Sequence, residues 1–211
     1  MNVDSQPYFK CVNAAFSGLL AEKTGAALET YNRASRAAAQ VLAIWREASG
    51  RSPASLEEAV AGGPEAAASV REAIAAVRDT EFPTDLLLSR FDQFVLESRG
   101  IVPEAGDALE AGQLDRFAVL VDRSQRAVEE WLGNQVPETV FLAREARRLG
   151  AVAASAFGAG FGGSVWALVP EPRGDRFARN WQDAYARVFP AVAGRAAFIR
   201  TCPGPAAFRL R

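Results

Sequence analysis

The spacing of hydrophobic residues predicts that the middle of the chain is helical. Between residues 31 and 48, Ala38, Val41 and Trp45 fall three and four positions apart, which places them on one face of a helix. A short helix is predicted after Ser55, because a glutamate three positions later completes the pattern of a capping box. Further helices are predicted over 65–78, 84–99, 103–111, 113–132, 137–148 and 173–189.

The last of these helices has a clear apolar stripe. Phe177, Trp181, Tyr185 and Val188 recur at helical spacing over 173–189. Such a stripe is typical of the face that a helix turns toward a protein core. We therefore interpret these four side chains as core residues.

Short apolar runs near the two ends of the chain predict strands. The runs are residues 8–20, 151–157, 163–169 and 196–201. With the helix that follows the third run, they form a split β-α-β arrangement of the ferredoxin-like type. The predicted fold class is α+β.

We expect one domain over residues 1–211, organised in three parts. Residues 8–20 give a strand of the central sheet, residues 31–148 form a mostly helical insertion, and residues 149–211 form a β-loop-β-α-β segment. The insertion is expected to pack on one side of the sheet. No internal repeat with a period of 20–50 residues indicates a solenoid.

A cluster of glycines lies between the two strands of the last segment. Gly158, Gly160, Gly162 and Gly163 fall within six residues, directly before an apolar run. Because glycine costs conformational entropy on folding, such a cluster serves either positive φ angles or a close approach to the main chain. Two interpretations remain open, an anion-binding loop and a plain connection between strands. No Lys-Ser or Lys-Thr pair follows the glycines, so the loop is not a P-loop.

Composition excludes several classes of function. The 24 basic and 25 acidic residues nearly balance, which argues against general binding to nucleic acid or to a membrane surface. No run of about 18 apolar residues indicates a membrane span. The chain contains no histidine, which excludes Ser-His-Asp and Cys-His mechanisms within it and argues against a zinc site.

The remaining residue types give no catalytic assignment. No pair of carboxylates has a spacing that designates a general base, so we assign no catalytic residue and no metal ligand in this chain. The cysteines are Cys11 and Cys202, and the first residues lack a basic segment and an apolar signal core. We therefore expect a reduced compartment, the cytoplasm.

Three motifs resemble those of the GHMP small-molecule kinases, and they occur in the family's order. The segment from Phe157 to Ser164, Phe-Gly-Ala-Gly-Phe-Gly-Gly-Ser, resembles the family's third conserved motif in its galactokinase form. Residues 29–36, Glu-Thr-Tyr-Asn-Arg-Ala-Ser-Arg, resemble the galactokinase segment Glu-Tyr-Asn-x-Arg-Arg. Residues 121–125, Val-Asp-Arg-Ser-Gln, and 136–138, Val-Pro-Glu, resemble the family's Ser-His pair and the Pro-Glu helix start that follows it.

The resemblance covers only the C-terminal half of such a kinase. The sugar-recognition signature, the Pro-x-x-x-Gly-Leu-Ser-Ser-Ser phosphate loop, and the Asp and Arg credited with activating the sugar hydroxyl belong to the N-terminal half and do not occur here. We expect a truncated product, an isolated fragment or one subunit of a split enzyme. Three positions depart from the galactokinase pattern and leave the sugar open. Phe157 replaces a serine or threonine, Gln125 replaces a histidine, and Val140 replaces an aspartate.

The resemblance implies where the site lies. In the family, the glycine loop lies beside the nucleotide phosphates and the sugar. The residues expected to line the phosphate site are Gly158, Ala159, Gly160, Phe161, Gly162, Gly163 and Ser164. Tyr31 aligns with the tyrosine that hydrogen-bonds the sugar, and the alternative is that it covers an edge of the core.

The resemblance also implies an activity. With ATP and Mg²⁺, the complete enzyme would phosphorylate the anomeric hydroxyl of galactose or a related sugar, whereas this chain alone is expected to be inactive. The alternatives are a kinase for arabinose, a uronic acid or a heptose, and a non-catalytic binding module derived from a kinase. The expected partner is the missing N-terminal half, or a second copy that covers the same apolar surface.

Overall fold

A four-stranded antiparallel sheet carries the glycine loop. The computed structural model of the chain describes residues 12–19, 26–78, 80–158 and 160–201. The strands are β1 (Val12–Phe16), β2 (Ala153–Phe157), β3 (Ser164–Leu168) and β4 (Ala197–Thr201). Their order in the sheet is β2-β3-β1-β4.

This strand order and the helices beside it confirm the predicted α+β class and its split β-α-β arrangement. Helix α7 (Pro137–Arg148) leads into β2, and helix α8 (Gly174–Val188) connects β3 to β4. Side chains of both helices share one core with Ala15, Val165 and Ala167 of the sheet. The two helices therefore cover the same face of the sheet.

The first strand is shorter than the predicted 8–20. It ends at Phe16, while residues 8–11 and 20 lie outside the described part of the chain. Gly18 gives the physical reason, because its φ is +80° and a Cβ built there would lie 2.7 Å from the carbonyl oxygen of Val192. Since glycine alone tolerates both conditions, the chain leaves the extended conformation at this point.

The stripe of α8 is core along most of its length. Phe177, Trp181 and Tyr185 are buried, and Trp181 donates its ring N–H to the carbonyl oxygen of Leu142 at 3.0 Å. Val188, the last residue of the helix, is 53% exposed, so the prediction that it is a core residue is wrong. Tyr185 in the same turn and Phe189 directly after the helix do pack in the core, so Val188 is the one residue of the stripe that lies outside it.

Contacts divide the chain into two compact units. The sheet unit comprises Met1–Ala21, Asp107–Gln125 and Asn134–Arg211, and the helical unit comprises Glu22–Gly106 and Arg126–Gly133. The helices outside those named above are α1 (Ala26–Ser49), α2 (Leu56–Ala59), α3 (Pro64–Ala76), α4 (Thr84–Val95), α5 (Val102–Glu110), α6 (Leu114–Ala127) and α9 (Pro190–Ala193). Single π-helical segments, Leu96–Ile101 and Val128–Leu132, continue α4 and α6.

The helical unit has its own core, which includes Val41, Val70, Ile74, Leu87 and Phe91. Helix α1 begins at Ala26, ahead of the predicted start at 31, because the Ala-Ala-Leu-Glu sequence over 26–29 has high helix propensity without an apolar period. The predicted N-cap is present at α2, where the Ser55 hydroxyl accepts from the Glu58 N–H at 3.2 Å. The Glu58 carboxylate accepts from the Ala54 N–H at 2.7 Å, one residue ahead of the N-cap, so the reciprocal bond of a capping box does not form. Across the described residues, every helix is too short or too polar to span a membrane.

Candidate functional site

The glycine loop is the turn of the β2–β3 hairpin, and its backbone lies in the positive-φ region. The φ angles are +91° at Gly158, +89° at Gly160, +58° at Phe161, +126° at Gly162 and +85° at Gly163. Ala159 lies outside the described residues. L-residues rarely adopt these angles, so the first purpose predicted for the glycines is confirmed.

The second purpose, a close approach to the main chain, is confirmed at Gly160. A Cβ built on Gly160 would lie 2.1 Å from the carbonyl oxygen of Asn134 and 2.7 Å from its Cγ. The N–H of Phe161 donates to the same carbonyl oxygen at 2.6 Å. Asn134 thus fixes the middle of the loop, and no other residue than glycine fits at position 160.

Asn134 is fixed in turn by the polar residues at the start of α7. Its side-chain oxygen accepts from the Gln135 side-chain amide at 3.0 Å, and the Thr139 hydroxyl donates to the Gln135 side-chain oxygen at 2.9 Å. Proline at position 137 opens the helix, a position that favours this residue. Sequence reasoning missed Asn134, because a polar residue ahead of a Pro-Glu pair gives no sign that it touches a distant glycine.

The end of the loop is joined to the segment that follows β1. The Gly163 N–H donates to the carbonyl oxygen of Leu19 at 3.0 Å, and the Ser17 N–H donates to the carbonyl oxygen of Gly163 at 2.9 Å. The buried hydroxyl of Tyr185 donates to the carbonyl oxygen of Ser17 at 2.6 Å. Helix α8 therefore supports the end of the loop through this short segment.

We expect Tyr185→Phe to weaken this support and to change the response to alkali. Burial, and secondarily the negative charge of Glu138, raise the pKa of Tyr185 to about 12 from its ordinary 10. The unfolded chain loses this proton near its ordinary pKa, whereas the folded chain holds it. The tyrosine's contribution is therefore complete below pH 10 and is lost as the pH rises toward 12.

The measurement is urea unfolding of both proteins over this pH range. The variant should lose about 1–2 kcal/mol near neutral pH, where the Ser17 carbonyl loses its donor. Its free energy of unfolding should also decline less steeply with pH than that of the native protein. If the free energy of unfolding declined equally with pH in the native protein and the variant, Tyr185 would not have different pKa values in the folded and unfolded chain.

The beginning of the loop is held by Gln125 of α6. This side chain is buried, and its oxygen accepts from the Ala156 N–H at 2.9 Å and from the Ser155 hydroxyl at 2.9 Å. Among the described strands, β2 lies at the edge of the sheet, so the Ala156 N–H has no strand partner on that side. The glutamine at the position of the family's histidine therefore satisfies a main-chain donor directly before the loop.

A salt bridge one turn earlier in α6 adds to this connection. Asp122 accepts two hydrogen bonds from Arg147 of α7, at 2.9 Å and 3.0 Å. Arg147 also donates to the carbonyl oxygens of Ala151 and Val152, directly before β2. Residues 121–125 and helix α7 thus fix both ends of β2.

We expect Gln125→Leu to loosen the end of β2, because a leucine of similar size leaves the Ala156 N–H without an acceptor. The expected loss of unfolding free energy is about 1–3 kcal/mol. Amide hydrogen exchange at Ala156 should accelerate accordingly. Ser155→Ala is the matched control, because it removes one donor and leaves the Ala156 hydrogen bond intact. Equal exchange rates at Ala156 in both variants would contradict the assignment.

Two amides of the loop, called its open amides below, have no acceptor within the described part of the chain. Those of Phe161 and Gly163 are engaged internally, whereas those of Gly158 and Gly162 find no acceptor within the described ranges. Gly158 is exposed and Gly162 is buried, and a buried N–H without an acceptor is costly. An oxygen of a bound anion would remove that cost. The loop therefore fits the phosphate-binding interpretation.

The other predicted site residues are placed as follows. Ser164 is the first residue of β3 and is half-buried, and Phe157 is 48% exposed at the end of β2. Tyr31 lies in α1 of the helical unit, and its side chain is outside the described part. Over the described residues, no group of three or more His, Cys, Asp or Glu side chains is arranged to hold a metal ion.

Comparisons with known proteins agree with the motifs. Residues 107–187 match the family model described as GHMP kinases C terminal. The galactokinase of Thermococcus kodakarensis is 33% identical over 101 residues, which are 48% of this chain and 29% of that protein. The crystal structure of Lactococcus lactis galactokinase complexed with galactose superposes with a TM-score of 0.75 at 22% identity, covering 97% of this chain and 48% of that one.

Residues 107–187, which include the glycine loop and the two strands that flank it, are thus similar in sequence to the C-terminal domain of GHMP kinases. Part of the chain is similar in sequence to a curated galactokinase, and the chain is similar in fold to a galactokinase structure. The resemblance inferred from the motifs is confirmed. The chain spans less than a third of the length of the first relative and about half of the second.

Proposed function

We propose that the chain is the C-terminal part of a galactokinase-like sugar 1-kinase, which transfers the γ-phosphoryl group of ATP to the anomeric hydroxyl of a sugar. One observation carries the proposal. Two further segments that resemble family motifs lie close to the glycine loop. Gln125, the last residue of segment 121–125, accepts from the Ala156 N–H just before the loop, and Asn134, two residues ahead of segment 136–138, contacts Gly160 and Phe161 in its middle. A loop that only connects two strands does not need contacts from residues in or beside two other segments that resemble family motifs.

The role proposed for the loop follows from its open amides. Phosphoryl transfer depends on positioning and on stabilising negative charge more than on covalent chemistry. The N–H groups of Gly158 and Gly162 would donate to phosphate oxygens of ATP, and Asn134 and Leu19 would hold the loop rigid while they do so. ATP supplies the transferred group.

Mg²⁺ fits the reaction but finds no ligand set within the described ranges, where no suitable cluster of acidic side chains exists. The phosphates and residues elsewhere would hold the ion. The acid or base at the sugar hydroxyl would likewise come from outside this chain, through an N-terminal kinase half as partner. We propose that the assembled protein works in the cytoplasm.

The sugar is proposed to be galactose, bound with the help of Tyr31. A second candidate class, kinases for arabinose, a uronic acid or a heptose, is favoured by Phe157. This exposed aromatic side chain stands beside the loop, where the galactokinase pattern has a hydroxyl. An aromatic ring can stack on a sugar face but offers no hydrogen bond to one, so the preferred hydroxyl pattern would differ.

The test is reconstitution of activity. The chain is assayed for sugar 1-phosphate formation alone and mixed with the N-terminal half of Lactococcus lactis galactokinase, with ATP, Mg²⁺ and each candidate sugar. The proposal predicts no activity for either half alone and activity for the mixture with one preferred sugar. Activity of the chain alone would contradict the proposal that the acid or base comes from the N-terminal half.

A stable mixture that phosphorylates none of the sugars would favour the remaining alternative, a non-catalytic module derived from a kinase. The stability of the mixture is checked by light scattering, which also reports whether the chain associates with itself. Self-association of the chain alone that disappears on mixing would show that both use one surface.

A further inference from the structure

One face of the sheet carries apolar side chains that lie partly exposed. Side chains alternate between the two faces of a strand, and Ala15, Val165 and Ala167 point into the core beneath α7 and α8. Their neighbours along the strands therefore point to the opposite face. The strand register aligns eight of these in two rows, which we call the open face: Ser155, Trp166, Ala14 and Ile199, and, next to the glycine loop, Phe157, Ser164, Phe16 and Ala197.

Helix α6 covers a third row on the same side of the sheet, farther from the loop. There Val121 packs against Ala153 and Leu168. The open face is less well covered. Phe157 and Ile199 are exposed although both side chains are large and apolar, and the exposed fraction of Ile199 is 58%. Ala197 is also exposed, and the remaining five positions are half-buried.

None of the eight side chains of the open face is charged. The charged residue of β4, Arg200, belongs to the other face, where it pairs with Asp175 of α8 at 3.1 Å. Strands that stay exposed in a lone protein normally carry charges that prevent association. An exposed apolar patch without charge is typical of the centre of a protein–protein interface. The open face therefore has the character of a docking surface.

The position of the open face restricts what can usefully cover it. Phe157 ends β2 and Ser164 begins β3, so the glycine loop lies directly between two residues of this face. A protein that covers the face therefore also reaches the loop. The proposed reaction needs an acid or base and metal-binding groups there, which are not assigned to the described residues. A second copy of the chain would cover the face without supplying these groups.

The similar galactokinase structure indicates how large such a partner is. This chain covers 48% of the Lactococcus lactis protein, so about half of that protein lies outside the matching part. A specific interface buries about 800 Å² on each partner, which a domain of that size can supply.

We propose that the open face is the surface on which an N-terminal kinase half docks. This inference rests on the proposed function and adds the location of the contact. Docking buries Ile199 and Phe157 and, in the same step, brings the partner's groups to the glycine loop.

The first test compares two substitutions that add the same charge. Ile199→Glu places a charge in the open face and should weaken binding to the N-terminal half of Lactococcus lactis galactokinase at least about tenfold, as expected for a buried anchor residue. Val119→Glu is the matched control. Val119 is 66% exposed on α6 between Phe117 and Val121, which pack toward the sheet, so its substitution should change the affinity less than about twofold. Calorimetry gives the affinities, and circular dichroism shows that each protein is folded. Equal affinities of the native chain and Ile199→Glu would overturn the proposal.

The second test follows isoleucine methyl groups by NMR in the unsubstituted chain. The Ile199 methyl signal should shift on addition of the N-terminal half. Ile44, Ile74 and Ile101 are buried in the helical unit and serve as internal controls that stay unchanged. Binding that leaves Ile199 unshifted would overturn the docking surface, and so would a mixture that does not associate. Self-association through Ile199 that persists in the mixture would assign the face to a second copy and overturn the proposal.

The docking surface and the kinase function fail in different ways. Binding that shifts Ile199 without any phosphorylation of a sugar would support the surface and count against the function. Sugar phosphorylation by a mixture in which Ile199→Glu binds as tightly as the native chain would support the function and overturn the surface.

Discussion

Gly160→Ala is expected to disrupt the glycine loop and to lower the free energy of unfolding by about 3 kcal/mol or more. The new Cβ would lie 2.1 Å from the carbonyl oxygen of Asn134, a distance that no real Cβ contact shows. The loop must move, and it then loses the hydrogen bond from the Phe161 N–H to that oxygen. The φ angle of +89° adds backbone strain for any L-residue.

Gly158→Ala is the matched control for this substitution. Gly158 has nearly the same φ, +91°, but a Cβ built there meets nothing within 4 Å. It should therefore lose only the strain energy, about 1–3 kcal/mol, and keep the loop in place. Urea unfolding gives the free energy of unfolding of each variant. The NMR chemical shifts of the Phe161 and Gly163 amides report whether the conformation of the loop is kept. Equal energies with unchanged shifts in both variants would show that Asn134 does not restrict position 160.

Trp181→Ala is expected to have a comparable effect on the whole sheet unit, a loss of about 3–5 kcal/mol. Trp181 is fully buried between α8 and the sheet, with its ring centroid 5.3 Å from that of Phe177 and 5.4 Å from that of Phe198. Truncation leaves a cavity that these rings cannot fill, and it removes the hydrogen bond to Leu142. Domains are stable by only about 5–15 kcal/mol, so this loss takes a large share.

Val188→Ala serves as the control for that prediction, because it truncates an exposed residue at the end of the same helix. We expect a change within about 0.5 kcal/mol. Both variants are measured by urea unfolding under one set of conditions. A loss at Trp181 no larger than that at Val188 would contradict the placement of α8 over the sheet.

The sequence alone was sufficient for the fold class and for the purpose of the glycines. Apolar runs and helical spacing identify elements because burial imposes them, and the stripe through Phe177, Trp181 and Tyr185 is core for that reason. Element ends are set by other forces. Gly18 ends β1 through a contact with Val192, and α1 starts early through helix propensity, which leaves no apolar period.

The residues that hold the loop were not predictable in the same way. The sequence indicates Gln125 only as a departure from a family pattern, because its role as an acceptor depends on the edge position of β2. Asn134 was missed because contact between two loops depends on tertiary packing, which spacing along the chain does not encode. Gly160 is the available signal in the sequence, because a residue without Cβ indicates that another group lies close to the main chain.

The central claim is that the glycine loop donates its open amides to nucleotide phosphates, and glycine-selective ¹⁵N NMR tests it most directly. The reconstituted protein is titrated with Mg²⁺ and a non-hydrolysable ATP analogue. The account predicts large shifts of the Gly158 and Gly162 amides, while Gly50 and Gly150, which also have positive φ but lie outside the loop, stay unchanged. Saturable nucleotide binding that leaves Gly158 and Gly162 unshifted would contradict it.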